Sequence, residues 1–301
     1  MSGNARSRRS RRPASSGWDH LAGWYDGWVG PDGSRYHRAQ ALPLALDLLD
    51  LRPGERLLDV GAGQGVLAPH VRRAGALYVG IDASPRMIAF ARRHHGRDGE
   101  FIVGDATRLD TAVVPRTGPF DAAVFMLSIQ DMDPLEPVLE SVAAILAPSA
   151  RIVLVLTHPA FRVPRHSGWV ADPGRGIASR RVDAYLRPMA VPLSGRPGTG
   201  SAPSTAFHRP LSTYVNLLSA EGFAIEAMVE QPDKLRTGPG TNAEIPLFLG
   251  LRASRRAPAG FASGATVRRC EAIGSRSWST PAKAARRRST SSRRRTAGDS
   301  R

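Results

Sequence analysis

The sequence predicts an α/β fold in which helices cover both faces of a mostly parallel sheet. Short β-branched apolar runs alternate with segments of helical periodicity between residues 56 and 156, which is typical of βαβ units. Three successive apolar runs end in or run into an aspartate, and the first of them leads through a glycine-rich turn into a helix. We therefore expect a doubly wound sheet whose ligand-binding edge is formed by the carboxyl ends of its strands.

The elements follow one another in a regular order. Two short amphipathic helices, Trp18 to Val29 and Arg35 to Leu49, are expected first, separated by a Gly-Pro-Asp-Gly turn. The predicted strands are then residues 56–60, 77–82, 101–105, 120–127 and 151–156, with helices at 66–75, 84–95 and 134–146. A polar insertion rich in Pro, Gly and Arg follows strand 5 at residues 158–208. Helix 211–221 and strands near 223–230 and 245–251 complete the pattern as a terminal hairpin, which predicts an antiparallel C-terminal strand.

The positive charge lies at the two ends of the chain. The 301 residues carry a formal net charge of +16, which suggests a nucleic-acid partner. Residues 1–12 contain five arginines and no acid, and residues 252–301 contain fourteen basic against two acidic residues, so residues 13–251 have a net charge of −1. We predict a disordered basic leader at 1–17, a folded domain at 18–251 and a disordered Arg/Ser-rich tail at 252–301. The tails are candidates for nonspecific nucleic-acid binding.

Composition also excludes several classes of protein. A single cysteine, Cys270, rules out an intramolecular disulfide framework and a cysteine-based metal cluster, and we expect no metal site. The longest apolar runs are far too short to span a bilayer, and residues 13–26 contain no apolar core of a secretory signal. We therefore expect a cytoplasmic protein without a membrane span. The sequence does not indicate an oligomeric state.

The central motif is the glycine-rich turn after the first strand. Asp59 ends the strand, and Gly61, Gly63 and Gly65 follow at alternate positions before the next helix. Glycines there permit a tight turn and let a ligand approach the backbone at a helix N-terminus. A nicotinamide-binding fingerprint would require its third glycine at position 66, which is valine, so that class of cofactor is disfavoured.

The spacing D-x-G-x-G-x-G resembles the first motif of class I S-adenosylmethionine-dependent methyltransferases, and the resemblance continues in register over residues 55–157. The sequence is similar to small-molecule enzymes of methyltransferase type 11/25, and the resemblance implies a Rossmann-like fold. In this family the acid after the second strand binds the ribose, and the acid after the third strand faces the adenine. The resemblance therefore implies that S-adenosylmethionine is bound by residues of four segments, namely Asp59, Gly61, Ala62, Gly63 and Gly65, Asp82 and Ala83, Asp105 and Ala106, and Met126 at the end of the fourth strand. Each aspartate alone is equally explained as a turn former or helix cap.

The two flanking segments also resemble parts of this family. Residues 18–50 resemble the helical lid that precedes the fold in small-molecule methyltransferases, which implies cofactor contacts for Tyr25, Tyr36 and His37; the alternative is packing. The insertion at 158–208 resembles the segment that builds the acceptor site. Its alternative is a solvated loop.

Methyl transfer requires alignment more than covalent catalysis, so a base is needed only when the acceptor must lose a proton. His158, His208 and Asp131 are the candidates for that role. The sequence thus predicts a methyltransferase that acts on a small-molecule acceptor. Two alternatives are a nucleic-acid methyltransferase docked by its basic tails and a catalytically inactive cofactor-binding protein. The first lacks support because residues 127–130 do not carry the Asn/Asp-Pro-Pro-aromatic signature of base methyltransferases.

Overall fold

The protein folds around a seven-stranded sheet with helices on both faces. A computed structural model describes residues 17–109, 119–192, 204–236 and 244–256. Residues 1–16 of the predicted leader and most of the predicted tail lie outside the described residues. The strands are β1 (Arg56–Val60), β2 (Leu77–Asp82), β3 (Glu100–Val103), β4 (Phe120–Met126), β5 (Leu146–Thr157), β6 (Ser167–Asp172), β7 (Ile177–Val182), β8 (Met189–Pro192), β9 (Thr205–His208), β10 (Phe223–Pro232) and β11 (Pro246–Arg255). The helices are α1 (Ala22–Val29), α2 (Leu42–Leu49), α3 (Ala68–Arg73), α4 (Pro85–His95), α5 (Glu136–Ala144) and α6 (Leu211–Ala220).

The strand order of the large sheet is β10-β11-β5-β4-β1-β2-β3. Strands β1 to β5 pair in parallel, and β11 runs antiparallel to both β5 and β10. Because β1 pairs with β2 on one side and β4 on the other, the chain direction across the sheet reverses at β1, and a crevice opens there at the carboxyl ends of the strands. The predicted fold class, including the antiparallel C-terminal strand, is confirmed.

Both faces of the sheet are buried. Leu57 and Leu58, adjacent on β1, are fully buried in the two hydrophobic clusters on opposite sides of the sheet. A strand buried on both faces reads as a continuous apolar run, which is why β1, β4 and β5 could be recognised in the sequence. The core therefore fixes the positions of the strand ends that carry the candidate site.

The predicted helix from Arg35 to Leu49 contains a π-helical segment, His37–Ala41, before α2 begins. The Leu42 amide donates to the His37 carbonyl, five residues back, and the next residue, Pro43, has no N–H to donate. The helix therefore has the predicted extent, but its π-helical segment was not predicted.

The predicted end of the folded domain at residue 251 is too early. Strand β11 continues to Arg255, and Ala253 is fully buried opposite Ile152 of β5. The insertion after β5 also contains two hairpins that the sequence did not predict, β6 with β7 and β8 with β9. Their residues are mostly half-buried or exposed, so they lack the apolar alternation that marks a core strand.

Candidate active site

A cavity of about 530 Å³ opens at the carboxyl ends of β1, β2 and β4, where the strand order reverses. Its walls combine residues from the N-terminal segment, the glycine-rich turn, the ends of β2 to β5 and the insertion. This volume lies within the range of ligand-binding clefts. Of the residues predicted to bind the cofactor, those that line the cavity are Tyr25, His37, Gly61, Ala62, Gly63, Asp82, Ala83, Asp105, Ala106 and Met126.

The first two glycines of the turn have distinct roles in the cavity wall. Gly61 has a φ of +74°, and a Cβ there would lie 2.6 Å from the Ser128 Cβ, so the turn and the segment after β4 pack too closely for any side chain. Gly63 has a φ of +55°, lines the cavity, and a Cβ there would meet no atom within 4 Å. The backbone at Gly63 is therefore open to a ligand.

Gly65 does not line the cavity. A Cβ there would lie 2.6 Å from the Phe101 ring of β3, which makes this glycine a packing requirement. Of the three glycines in the motif, Gly61 and Gly63 thus line the cavity, and Gly65 packs in the core.

The Asp82 carboxylate is held in place by the backbone. Its Oδ2 accepts the Gly63 N–H at 2.9 Å and its Oδ1 accepts the Ser84 N–H at 2.8 Å. Burial raises the pKa of Asp82, while these two N–H donors lower it. A carboxylate has about four lone-pair sites, so two remain for hydroxyl donors in the cavity.

Asp105 is more exposed than Asp82, and its side chain forms hydrogen bonds with a residue two positions along the chain. Its Oδ1 accepts both the backbone N–H of Thr107 at 2.9 Å and the Thr107 hydroxyl at 2.8 Å. This is the turn-forming arrangement that the sequence offered as the alternative, although Asp105 also lines the cavity with Ala106.

The structure places Asp59 outside the cavity wall. Its side chain is buried, and its Oδ2 accepts the Tyr78 hydroxyl at 2.8 Å. Burial raises the pKa of Asp59 to about 7, and the Tyr78 hydrogen bond opposes that shift. The predicted contact between Asp59 and the cofactor therefore does not fit this position. The Asp59 side chain contacts Tyr78 of β2 and does not line the cavity.

The N-terminal segment closes one side of the cavity. Trp18, Tyr25 and His37 all line it. His37 is buried, its Nδ1 lies 2.8 Å from the Ser34 Oγ, and burial together with Arg38 lowers its pKa to about 4, so the imidazole is neutral near pH 7. Burial raises the pKa of Tyr25 above its ordinary value, and the nearby charges of Asp131 and Asp82 add to this effect.

Asp19 fastens this segment to the N-terminus of α4. Its Oδ1 accepts the Ser84 hydroxyl at 2.7 Å and the Arg86 backbone N–H at 3.1 Å. Sequence reasoning missed Asp19, because nothing in its local pattern indicates a partner 65 residues away.

Tyr36, predicted to contact the cofactor, does not line the cavity. It is 37% exposed, and its hydroxyl lies 3.5 Å from Asp233 Oδ2. The structure thus places Tyr36 at the surface, which is neither the predicted cofactor contact nor the packed position given as its alternative.

Asp131 stands at the cavity beyond β4, in the 3₁₀ turn Ile129–Asp131. Burial and the nearby charge of Asp82 raise its pKa to about 7, and a hydrogen bond from the Trp18 side chain lowers it. A carboxyl group that titrates near neutrality in a cleft is a candidate proton acceptor.

The two histidine candidates lie elsewhere. His158 is buried, with its Nε2 2.7 Å from Glu230 Oε1, and it does not line the cavity. His208 has its Nε2 2.7 Å from the Tyr185 carbonyl and lines a separate space of about 40 Å³. Burial lowers the pKa of both, so each is a largely neutral, hydrogen-bonded side chain. Of the three predicted bases, only Asp131 is placed at the large cavity among the residues described.

The far end of the cavity is formed by Thr157 of β5 and by Arg162, Pro164 and Ala206 of the insertion. Sequence reasoning predicted that the insertion would build an acceptor site but did not single out these residues. Arg162 was one of several arginines in a polar segment, and only the fold distinguishes it from the others.

Across the described ranges, no group of three or more His, Cys, Asp or Glu side chains is arranged to hold a metal ion. No helix among the described residues is long and apolar enough to cross a membrane.

Comparisons with known proteins agree with this geometry. The family model described as "Methyltransferase domain" matches residues 57–149. The chain is 31% identical over 152 residues to a demethylmenaquinone methyltransferase of Beutenbergia cavernae and 28% identical over 152 residues to a ubiquinone biosynthesis O-methyltransferase of Xylella fastidiosa. Each match covers 50% of this chain, and the chain spans 58% and 62% of the length of these curated relatives.

A solved structure is similar over a larger part of the chain. It is an S-adenosylmethionine-dependent methyltransferase from Mesorhizobium loti, with a TM-score of 0.57 and 25% identity, and the match covers 72% of this chain and 99% of that one.

Proposed function

We propose that the chain is a class I S-adenosylmethionine-dependent methyltransferase and that it transfers a methyl group from S-adenosylmethionine to a small-molecule acceptor. The observation that carries the proposal is one continuous cavity lined both by the glycine-rich turn with Asp82 and by residues of the insertion. A single cavity that joins these two parts of the chain would bring cofactor and acceptor together, as a transfer reaction requires.

The residues present fit this cofactor. Asp82 is held by two backbone N–H groups and keeps acceptor capacity for the ribose hydroxyls, and the space beside Gly63 is open. The described lining includes four aspartates, Asp82, Asp105, Asp131 and Asp133, and one arginine, Arg162. A predominantly anionic wall favours a cationic ligand. When bound, S-adenosylmethionine supplies an electrophilic methyl group on a positively charged sulfur.

The chain's own residues then have three tasks. The N-terminal segment, held by Asp19 and by the hydrogen bond from Trp18 to Asp131, excludes water from the cavity. The insertion positions the acceptor. Asp131 accepts a proton where the acceptor must lose one, because its pKa of about 7 leaves a large basic fraction at neutral pH.

The test is cofactor binding followed by turnover. We expect S-adenosylhomocysteine to raise the thermal stability of the full chain, by about 2.7 kcal/mol at a hundredfold excess over its dissociation constant. Asp82→Ala should weaken that binding at least about tenfold, since it removes charge-assisted acceptors. Asp121→Ala is the matched control, because Asp121 accepts the Arg56 N–H at the other end of the sheet, outside the cavity lining.

Unchanged affinity in Asp82→Ala would refute its role, and no binding by the wild type would refute the function. Turnover is then sought by mass spectrometry of cell extract incubated with the protein and methyl-labelled cofactor, supplemented with phenolic, amine and quinone acceptors.

A further inference from the structure

Three arginines from three separate segments surround one tryptophan beside the acceptor end of the cavity. The guanidinium carbons of Arg162, Arg180 and Arg236 lie 5.5, 5.3 and 5.5 Å from the centre of the Trp169 ring. Arg162 follows β5, Trp169 and Arg180 lie on the β6–β7 hairpin, and Arg236 follows β10. The fold therefore gathers like charges that are distant in the sequence.

The hydrogen bonds of these guanidinium groups go to uncharged acceptors. Arg162 donates through Nε to the Pro246 carbonyl at 3.2 Å, and Arg180 donates through Nε to the Phe161 carbonyl at 2.7 Å. Both acceptors are uncharged, and within the described ranges no ion pair joins any of the three arginines to a carboxylate. Burial and the neighbouring Arg180 lower the pKa of Arg162, an effect that Arg236 adds to and Asp233 opposes.

Two buried donors at this cluster also lack an acceptor. Arg162 Nη2 and Trp169 Nε1 are both inaccessible to solvent and have no hydrogen-bond partner among the described residues. Buried donors are normally satisfied in folded proteins, so such a pair indicates a missing acceptor. Arg162 is the member of the cluster that lines the large cavity.

We propose that Arg162, supported by Arg180 and Arg236 around Trp169, binds an anionic oxygen group of the methyl acceptor, a carboxylate or a phosphate. This inference rests on the proposed function and extends it by naming a substrate class. The guanidinium fork suits both groups, because each presents paired oxygens to its N–H donors. Asp82 and Asp105 belong to the residues assigned to the cofactor, whereas Arg162 belongs to the insertion assigned to the acceptor.

The test uses the full chain saturated with S-adenosylhomocysteine and two probes, benzoate and phenyl phosphate, with benzyl alcohol as the neutral analogue. Calorimetry should show that at least one anionic probe binds more tightly than benzyl alcohol, and that its affinity falls as salt rises. The preferred probe distinguishes a carboxylate from a phosphate. Arg162→Gln should weaken binding of that probe at least tenfold. Arg162→Lys should weaken it less, because lysine keeps the positive charge but lacks the paired N–H donors of the guanidinium group.

Arg181→Gln is the matched control. Arg181 is the neighbour of Arg180 on β7, points to the other face of the hairpin and pairs with Asp183 at 2.8 Å, so probe affinity should not change. Arg236→Gln is a second test, because this exposed side chain can be replaced without opening the core. It should weaken the probe severalfold and should not lower the melting temperature, since it relieves repulsion.

Equal probe affinity in wild type, Arg162→Gln and Arg236→Gln would overturn the proposal. So would a loss of S-adenosylhomocysteine affinity in Arg162→Gln with probe affinity retained, which would assign Arg162 to the cofactor. Failure of the wild type to bind S-adenosylhomocysteine would instead count against the proposed function.

Discussion

Aspartates that look equivalent in the sequence have different surroundings in the fold. Asp82 receives two backbone N–H groups at the cavity wall, whereas Asp59 is buried against the Tyr78 hydroxyl. Strand periodicity predicts where a strand ends, but a side chain's final partner depends on neighbours from other strands. The Asp59 partner lies on β2, and no local pattern in β1 could have identified it.

The most informative single residue for catalysis is Asp131. Its carboxyl acts as a proton acceptor only when ionised, so activity that depends on it should rise with pH through about 7 and level off above. We expect Asp131→Asn to lower kcat/KM by about a hundredfold and to remove this rise. The measurement is a pH profile of labelled-methyl transfer to whichever acceptor the extract experiment identifies.

Glu136→Gln provides the control for Asp131. Glu136 is an exposed acid at the start of α5 that does not line the cavity, so its profile should match the wild type. A retained pH dependence in Asp131→Asn would show that another group, or none, accepts the proton.

At the scale of elements, burial decided what the sequence could predict. The runs around Leu57, Val124 and Val153 are buried on both faces, and their apolar character was sufficient to place β1, β4 and β5. The hairpins of the insertion are held by local strand pairing and by contacts such as those of Trp169 with three arginines. Such interactions produce no periodic pattern in the sequence, so the sequence could predict that the insertion contributes to the site but not which of its residues line the cavity.

The lid is an element whose closure can be tested. Asp19 joins the N-terminal segment to α4 through the Ser84 hydroxyl and the Arg86 N–H. Asp19→Ala removes the oxygen that accepts both hydrogen bonds, so the closed arrangement should be less populated and the apparent dissociation constant of S-adenosylhomocysteine should rise by about threefold to tenfold. Stopped-flow measurements should show faster dissociation, and hydrogen exchange should increase over α1.

Asp32→Ala is the matched variant for this experiment. Asp32 is exposed in the turn between α1 and the next helical segment, so cofactor release should remain at the wild-type rate. If Asp19→Ala also releases the ligand at that rate, the Asp19 contacts do not hold the lid.

For the whole molecule, the net charge of the two ends of the chain differs from that of the segment between them. The segment from 13 to 251 has a net charge of −1, so the chain's +16 belongs to the residues on either side of this segment. Sequence composition placed the end of the folded domain at 251 because the polar residues beyond resemble the tail, although Ala253 is in fact a core residue on β11.

Two truncations that differ by five residues test this boundary and the role of the tail together. Removing residues 257–301 deletes eleven basic and two acidic residues and leaves β11 whole, so the melting temperature and S-adenosylhomocysteine affinity should not change. Removing residues 252–301 also deletes the ladder partners of Ile152 and Val153, which should cost at least about 2 kcal/mol of unfolding free energy through lost hydrogen bonds and burial. Binding of a short DNA duplex should fall in both truncations, and the slope of log affinity against log salt should become shallower as phosphate contacts are lost. If the protein lacking residues 257–301 binds the DNA duplex as tightly as the full chain, the tail does not contact nucleic acid. If the two truncated proteins have equal melting temperatures, the last residues of β11 do not stabilise the sheet.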